Sequence, residues 1–163
     1  MFQVLIVCTG NTCRSPMAEG ILQSLLLPEI GARTVVVSAG TGAAEGVPAT
    51  SLAVQTSAEN GIDIAGHRST PLTAALLRES DLVLAMEPGH VERARELAPD
   101  AKERIHLITE RGAMPSGNPS PGVRDPIGGT PDQYRDTFHR IRSHLLAWVP
   151  VIRDAVERRE GVR

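Results

Sequence analysis

Cys8 and Arg14 stand with five residues between them in Val7-Cys8-Thr9-Gly10-Asn11-Thr12-Cys13-Arg14-Ser15-Pro16. A loop of this length can turn successive backbone N–H groups inward as an anion-binding nest. A helix behind it would add free N–H groups and its positive dipole end. A sulfur on the floor of such a cradle is favoured as thiolate. Arg14 presents a planar fork able to grip two oxygens of a tetrahedral oxyanion. A thiolate beneath a phosphoryl group held in this way is placed for in-line attack. Ser15 can offer its hydroxyl to the sulfur and steady it as nucleophile and leaving group. The candidate oxyanion contacts are therefore Thr9, Gly10, Asn11, Thr12, Cys13 and Arg14.

The elements that must hold this loop are legible around it. Phe2 to Val7 is apolar and reads as a buried parallel strand. Pro16 to Leu27 reads as a helix, with Met17, Ile21, Leu22, Leu25 and Leu26 near 3.6-residue spacing. Pro16 suits a first helical turn, where its missing N–H costs nothing. Thr34 to Ala39 is short and β-branched, a second strand. Gly40 to Pro48 is glycine-rich loop, and Thr50 to Asn60 is a helix closed by Gly61. Thr70 is read as the N-cap of a further helix running to about Arg78. Asp81 to Met86 is the third strand, Pro88 to Leu97 a helix and Arg104 to Ile108 the fourth strand.

Gly112 to Arg124 is loop, followed by Asp125-Pro126 and Gly128-Gly129. The last helix starts near Thr130-Pro131. Its residues Tyr134, Phe138, Ile141, Leu145, Trp148 and Ile152 step by three and four and form one buried stripe. Pro150 is expected to kink or interrupt it, and the charged end from about 157 to 163 is expected to fray. Alternating strands and helices indicate an α/β doubly wound parallel sheet with helices on both faces. Ligands of such sheets sit beyond the C-terminal strand ends, where the Cys8 loop lies.

Composition sets the bounds. The chain has 163 residues, 41% hydrophobic and 22% charged, with a net charge of −2. That length favours a single domain over 1–163. The charge gives no attraction to polyanions. Phe2, Tyr134, Phe138 and Trp148 are all the aromatics, so no aromatic-rich nucleic-acid surface is available. No apolar run approaches the ~18 residues of a membrane span, and the N-terminus does not read as a secretory signal. The only cysteines are Cys8 and Cys13, both in the loop, so no disulfide framework is expected and a reducing cytoplasm is the default.

Other chemistries fit less well. Two cysteines beside an arginine make a poor zinc site. A nucleotide P-loop would need Gly-Lys-Ser/Thr. His90, His106, His139 and His144 show no metal spacing and are read as surface or core residues. No metal and no cofactor is called for. The loop chemistry does need an acid to protonate a departing atom. Asp125, far along the chain before Pro126 and two glycines, is one candidate, but an Asp-Pro pair taken alone reads more readily as a turn opener.

The extended string VCTGNTCRSPMAE after a strand resembles the active-site loop of the low-molecular-weight protein tyrosine phosphatases. With threonine at Thr12 it looks most like the bacterial protein-arginine phosphatase branch. The resemblance covers essentially the whole chain. It implies four strands in the order 2-1-3-4, hydrolysis through a cysteinyl-phosphate on Cys8, and Asp125 of Asp125-Pro126 as general acid and later base. It also implies that the Asn11 side chain bonds Ser38 and His67, and that Cys8 and Cys13 face each other closely enough to pair on oxidation.

Phosphorylated proteins are the implied substrates. Tyrosine-directed relatives line the cleft with aromatics after strand two and after Asp-Pro; this chain has none in Thr41 to Thr50, and Ile127 follows Pro126. Arginine-directed relatives have the Thr12 position and a stretch like Ser69 to Met86, both present here, but often an aromatic where Ile127 stands. Two further readings share the loop. An arsenate reductase with an intramolecular cascade would need cysteines after Cys13, so only one coupled to an external thiol fits. A non-catalytic phosphate-binding module would be expected to lose Cys8, Arg14 or Asp125.

Overall fold

The computed structural model describes residues 1–112 and 121–161. Strands β1 (Phe2–Cys8), β2 (Thr34–Gly40), β3 (Leu82–Ala85) and β4 (Ile105–Leu107) form one sheet in the order β2-β1-β3-β4. Every pairing is parallel, with Cys8 opposite Gly40 and Val7 opposite Ala85. Between and after the strands come helices α1 (Arg14–Leu26), α2 (Ser51–Glu59), α3 (Ala74–Glu79), α4 (Pro88–Leu97) and α5 (Pro131–Gly161).

The alternation along β1 sorts the core into two layers, because successive side chains of a strand point to opposite faces. Val4, Ile6 and Cys8 join Met17, Ile21 and Leu22 of α1, Ala53 of α2 and the buried stripe of α5. Leu5 and Val7 join Leu77 of α3 and Ala94 of α4 on the other face. This is the doubly wound arrangement that the alternating elements indicate, in the strand order that the resemblance implies. It places the strand-end loop of β1 between β2 and β3, where neighbours from both can reach it.

Several local expectations are corrected. Helix α1 begins two residues earlier than read, so Arg14 and Ser15 lie inside its first turn. Thr73, not Thr70, caps α3, accepting from the Leu76 N–H. Thr70 and Pro71 instead run beside the end of β2, where Thr70 accepts from Gly40 and Pro71 bridges Gly40. Thr50 does cap α2, accepting from Ala53.

Pro150 does not interrupt α5, which is helical from Pro131 to Gly161. Pro150 lies on the exposed face, and Leu146, whose carbonyl it leaves unpaired, is 50% exposed. Water can serve that carbonyl, so the usual cost of an internal proline is reduced. The C-terminal turns are helical through Gly161. Val156 is buried in the core, Arg159 reaches Asp81 at 2.8 Å, and Glu160 pairs with Arg33 at 2.6 Å. Of the expected loop from Gly112 to Arg124, residues 113–120 lie outside the described residues.

Candidate active site

The Cys8 loop leaves β1 and enters α1 with no linker, so backbone geometry alone builds the cradle. Asn11 takes φ +55°, a left-handed conformation that asparagine tolerates. Its N–H then points at the Cys8 sulfur, 3.3 Å away. Gly40, at the end of β2, lets the strands close on the loop: a Cβ there would sit 2.3 Å from the Thr9 carbonyl oxygen and 3.0 Å from the Asn11 nitrogen. Thr41 and Gly42 donate to the carbonyls of Cys8 and Thr9, and Thr50 donates to that of Thr12. The outward-facing carbonyls are thereby satisfied, leaving N–H groups for the interior.

The Asn11 side chain sets the polarity of the site. Its Oδ1 accepts from the Thr70 N–H at 2.8 Å. Both hydrogens of Nδ2 are therefore donated, to Ser15 Oγ at 2.7 Å and Ser38 Oγ at 3.0 Å. Ser15, already an acceptor, has its own hydrogen free for Cys8 Sγ, 2.9 Å away. Ser38 passes its hydrogen to Glu19, a residue the sequence reading missed. Burial pushes the Glu19 carboxyl up, against smaller opposing effects of Ser38 and His67. The expected bond from the Asn11 side chain to His67 is not made: His67 Nε2 donates to the Asn11 backbone carbonyl at 2.7 Å, because Oδ1 is taken by Thr70.

Arg14 is 1% exposed and its fork is fully committed on one side. Nη1 pairs with Glu87 and donates to the Val123 carbonyl at 2.8 Å. Nη2 lies 3.3 Å from Asp125 Oδ2. Nε is buried without a partner among the described residues. The unspent donors, Nε–H and the rest of Nη2, are adjacent on the guanidinium edge, the pattern that matches two oxygens of a tetrahedral anion.

Asp125 comes to the loop from far along the chain. Gly122 takes φ +97°, and a Cβ there would meet the Met86 carbonyl oxygen at 2.6 Å. Val123 can then donate to that carbonyl at 2.7 Å, while Arg140 holds the Gly122 carbonyl at 2.7 Å. These contacts fasten the segment to the end of β3 and to α5. Asp125 Oδ1 accepts from the Ile127 N–H at 3.0 Å, and Gly129 closes the turn onto Pro126. The carboxyl is about one-third exposed and faces the arginine across the cleft.

Three neighbours besides Glu19 were not legible. Glu87 and His90, at the start of α4, touch Arg14 and Thr9 respectively. Tyr134, read only as part of the apolar stripe, places its hydroxyl 3.3 Å from Cys13 Sγ and 3.2 Å from Thr50 Oγ1. Burial, with Cys13 beside it, pushes the Tyr134 phenol up to about 12, so it stays a donor. Both cysteines are free thiols. One clue was available: residues at the C-terminal strand ends of such sheets face ligands, and Glu87 stands there. Together the groups can bind a tetrahedral oxyanion over a sulfur nucleophile, with a carboxyl opposite to move a proton.

The sequence profile of the family described as "Low molecular weight phosphotyrosine protein phosphatase" matches residues 3–160. A probable low molecular weight protein-tyrosine-phosphatase EpsP of Ralstonia solanacearum is 36% identical over 150 residues, 92% of this chain and 95% of the relative. A protein-arginine-phosphatase of Geobacillus stearothermophilus is 38% identical over 134 residues, 82% of this chain and 84% of the relative. The crystal structure of a YwlE mutant from Bacillus subtilis superposes with a TM-score of 0.82 at 33% identity, covering 94% of this chain and 99% of that one.

Proposed function

The chain belongs to the low molecular weight phosphotyrosine protein phosphatase family, enzymes that use a cysteine, and on that premise we propose that it removes phosphate from phosphoarginine side chains of proteins. Cys8 is the nucleophile. Its sulfur forms the S–P bond as the P–N bond breaks, and Asp125 gives its proton to the departing nitrogen. In the second step water forms an O–P bond, the S–P bond breaks, and Asp125 takes the water proton. Arg14, through Nε and Nη2, and the inward N–H groups of Thr9 to Arg14 hold the phosphoryl oxygens while charge shifts among them. Ser15 donates to the sulfur as it carries charge, and Ser38 and His67 brace the loop through Asn11.

The observation that carries the arginine reading is the lack of any aromatic wall. Tyr134, Phe138 and Trp148 are buried along α5, and Phe2 begins β1 at the end opposite Cys8. A phosphotyrosine ring has no aromatic partner to stack on. Ile127, 62% exposed beside Asp125, offers an aliphatic surface suited to the methylenes of an arginine. Once its proton has gone to the departing nitrogen, Asp125 is a carboxylate facing the released guanidinium. Thr12 is β-branched with a stiff χ1, and its hydroxyl, 3.5 Å from where a Cβ on Gly10 would stand, reaches less far than an isoleucine arm would.

The test compares kcat/KM for phosphoarginine and phosphotyrosine on one purified sample, in the wild type and in Thr12→Ile. Wild type should prefer phosphoarginine. The mutant should lose about tenfold in the ratio, equivalent to about 1.4 kcal/mol of differential transition-state binding. A wild-type preference for phosphotyrosine would replace this reading by the tyrosine-phosphatase one that the name of the Ralstonia relative suggests.

A further inference from the structure

His90 is buried, 6% exposed, at the third residue of α4, and both of its ring nitrogens are engaged. Nδ1 lies 3.1 Å from the Glu87 N–H and can only accept. The ring hydrogen therefore sits on Nε2, which is 2.8 Å from Thr9 Oγ1 and donates to it. A neutral ring satisfies both contacts, whereas a second ring hydrogen would face the Glu87 N–H. Burial pushes the His90 pKa down from 6.5, and the Arg14 charge adds to this; Glu87 and Asp125 oppose it.

The two groups that His90 touches both belong to the oxyanion cradle. Thr9 directly follows the nucleophile and is exposed at the mouth of the cradle. Its methyl faces the loop after β2, 3.8 Å from where a Cβ on Gly42 would stand, and its hydroxyl faces α4. Because Thr9 Oγ1 accepts from His90, the hydroxyl hydrogen is free for the cleft. Glu87, held by its N–H on the other ring nitrogen, pairs with Arg14. One imidazole thus ties the first loop residue to the strand end that orients the arginine.

We propose that His90 is a positioning residue for phosphoryl transfer, fixing the Thr9 side chain at the cradle mouth and, through the Glu87 N–H, the carboxylate that aligns Arg14. The proposal rests on the phosphatase reading of the Cys8 loop but not on the choice of phosphoarginine. It makes His90 part of the working geometry rather than a packed core residue.

The experiment follows aryl phosphate turnover and thermal midpoints for Thr9→Val, Thr9→Ser, His90→Leu and the double variant Thr9→Val/His90→Leu. Thr9→Val removes the acceptor without changing shape. It should lower kcat/KM about tenfold, the scale of one lost hydrogen bond, with an unchanged midpoint. Thr9→Ser keeps the acceptor and should recover most of that loss. The double variant should be no slower than His90→Leu, since losing His90 already breaks the Thr9 link. The deficit of His90→Leu should also shrink at acid pH, where a second ring hydrogen on Nδ1 of the wild type displaces the Glu87 N–H.

A Thr9→Val enzyme as fast as wild type, a Thr9→Ser enzyme as slow as Thr9→Val, or losses that multiply in the double variant would overturn the proposal. If His90→Leu fails to fold, the Val and Ser variants decide it. A wild type without turnover on any phosphorylated substrate would instead overturn the phosphatase reading beneath it.

Discussion

The Oγ of Ser15 lies 2.9 Å from the Sγ of Cys8; Asn11 donates to the same oxygen, which leaves the Ser15 hydrogen free to donate to the sulfur as thiolate. That arrangement is set by the Thr70 N–H, which fixes the Asn11 amide with its Nδ2 toward Ser15. A hydrogen bond to a charged group is worth about 1.5–3 kcal/mol. Ser15→Ala should therefore lower kcat roughly ten- to a hundredfold. Steady-state turnover of an aryl phosphate measures it, and a change under twofold would mean the hydroxyl does not serve the thiolate.

Nucleophile and acid should separate cleanly. Cys8→Ser should abolish turnover yet still bind inorganic phosphate, since the backbone nest and Arg14 remain. Asp125→Asn should slow poor leaving groups far more than good ones, because only the former need a proton. Equal losses across a leaving-group series would remove Asp125 from the acid role.

Oxidation is the third case. Cys13 is 4% exposed and rests against the Tyr134 and Thr50 hydroxyls as a free thiol. If a sulfenic acid on Cys8 condenses with the Cys13 thiol, a disulfide and water form, and a dithiol restores both thiols. Peroxide should then inactivate the wild type reversibly, and Cys13→Ser should recover less. Identical recovery in the two proteins would count against pairing.

A pH dependence of stability follows from Glu19. Its carboxyl ionises near 4.5 when free, and burial raises that value in the folded protein. The folded state then holds the proton more tightly than the unfolded state. Its contribution to stability is full below about 4.5 and is lost as pH rises through the raised folded value. Glu19→Gln cannot ionise, so its stability relative to wild type should grow over that window. Urea unfolding at a series of pH values tests this; parallel curves would exclude it.

The end of α5 gives a stability test. Val156 is 3% exposed, and truncating its side chain removes buried methyl groups at about 0.8 kcal/mol per carbon. Val156→Ala should cost about 1–2 kcal/mol. Removing residues 157–163, with the surface pairs of Arg159 and Glu160, should cost less than about 1 kcal/mol per pair. A Val156→Ala protein as stable as wild type would mean that this turn of α5 carries no packing energy.

The sequence by itself determined whatever lies close along the chain. Cys8, Asn11, Arg14 and Ser15 fall within one strand-loop-helix junction, so their types and spacing already specify a cradle. The α5 stripe was equally plain, because burial along a helix repeats every three to four residues. Asp125 was placed by the family pattern, its Asp-Pro pair being ambiguous alone. Only the tertiary structure brought in Glu87, His90, Glu19 and Tyr134. Glu87 and His90 meet the loop because β3 pairs with β1, and a pairing of distant strands leaves no local periodicity to read. Tyr134 carries a polar tip on an apolar stripe, and only the approach of α5 to Cys13 gives that tip a partner. The fate of Pro150 and of the C-terminal turn was decided the same way. Whether a proline breaks a helix depends on whether water reaches the carbonyl it strands, and whether an end frays depends on whether a core receives Val156.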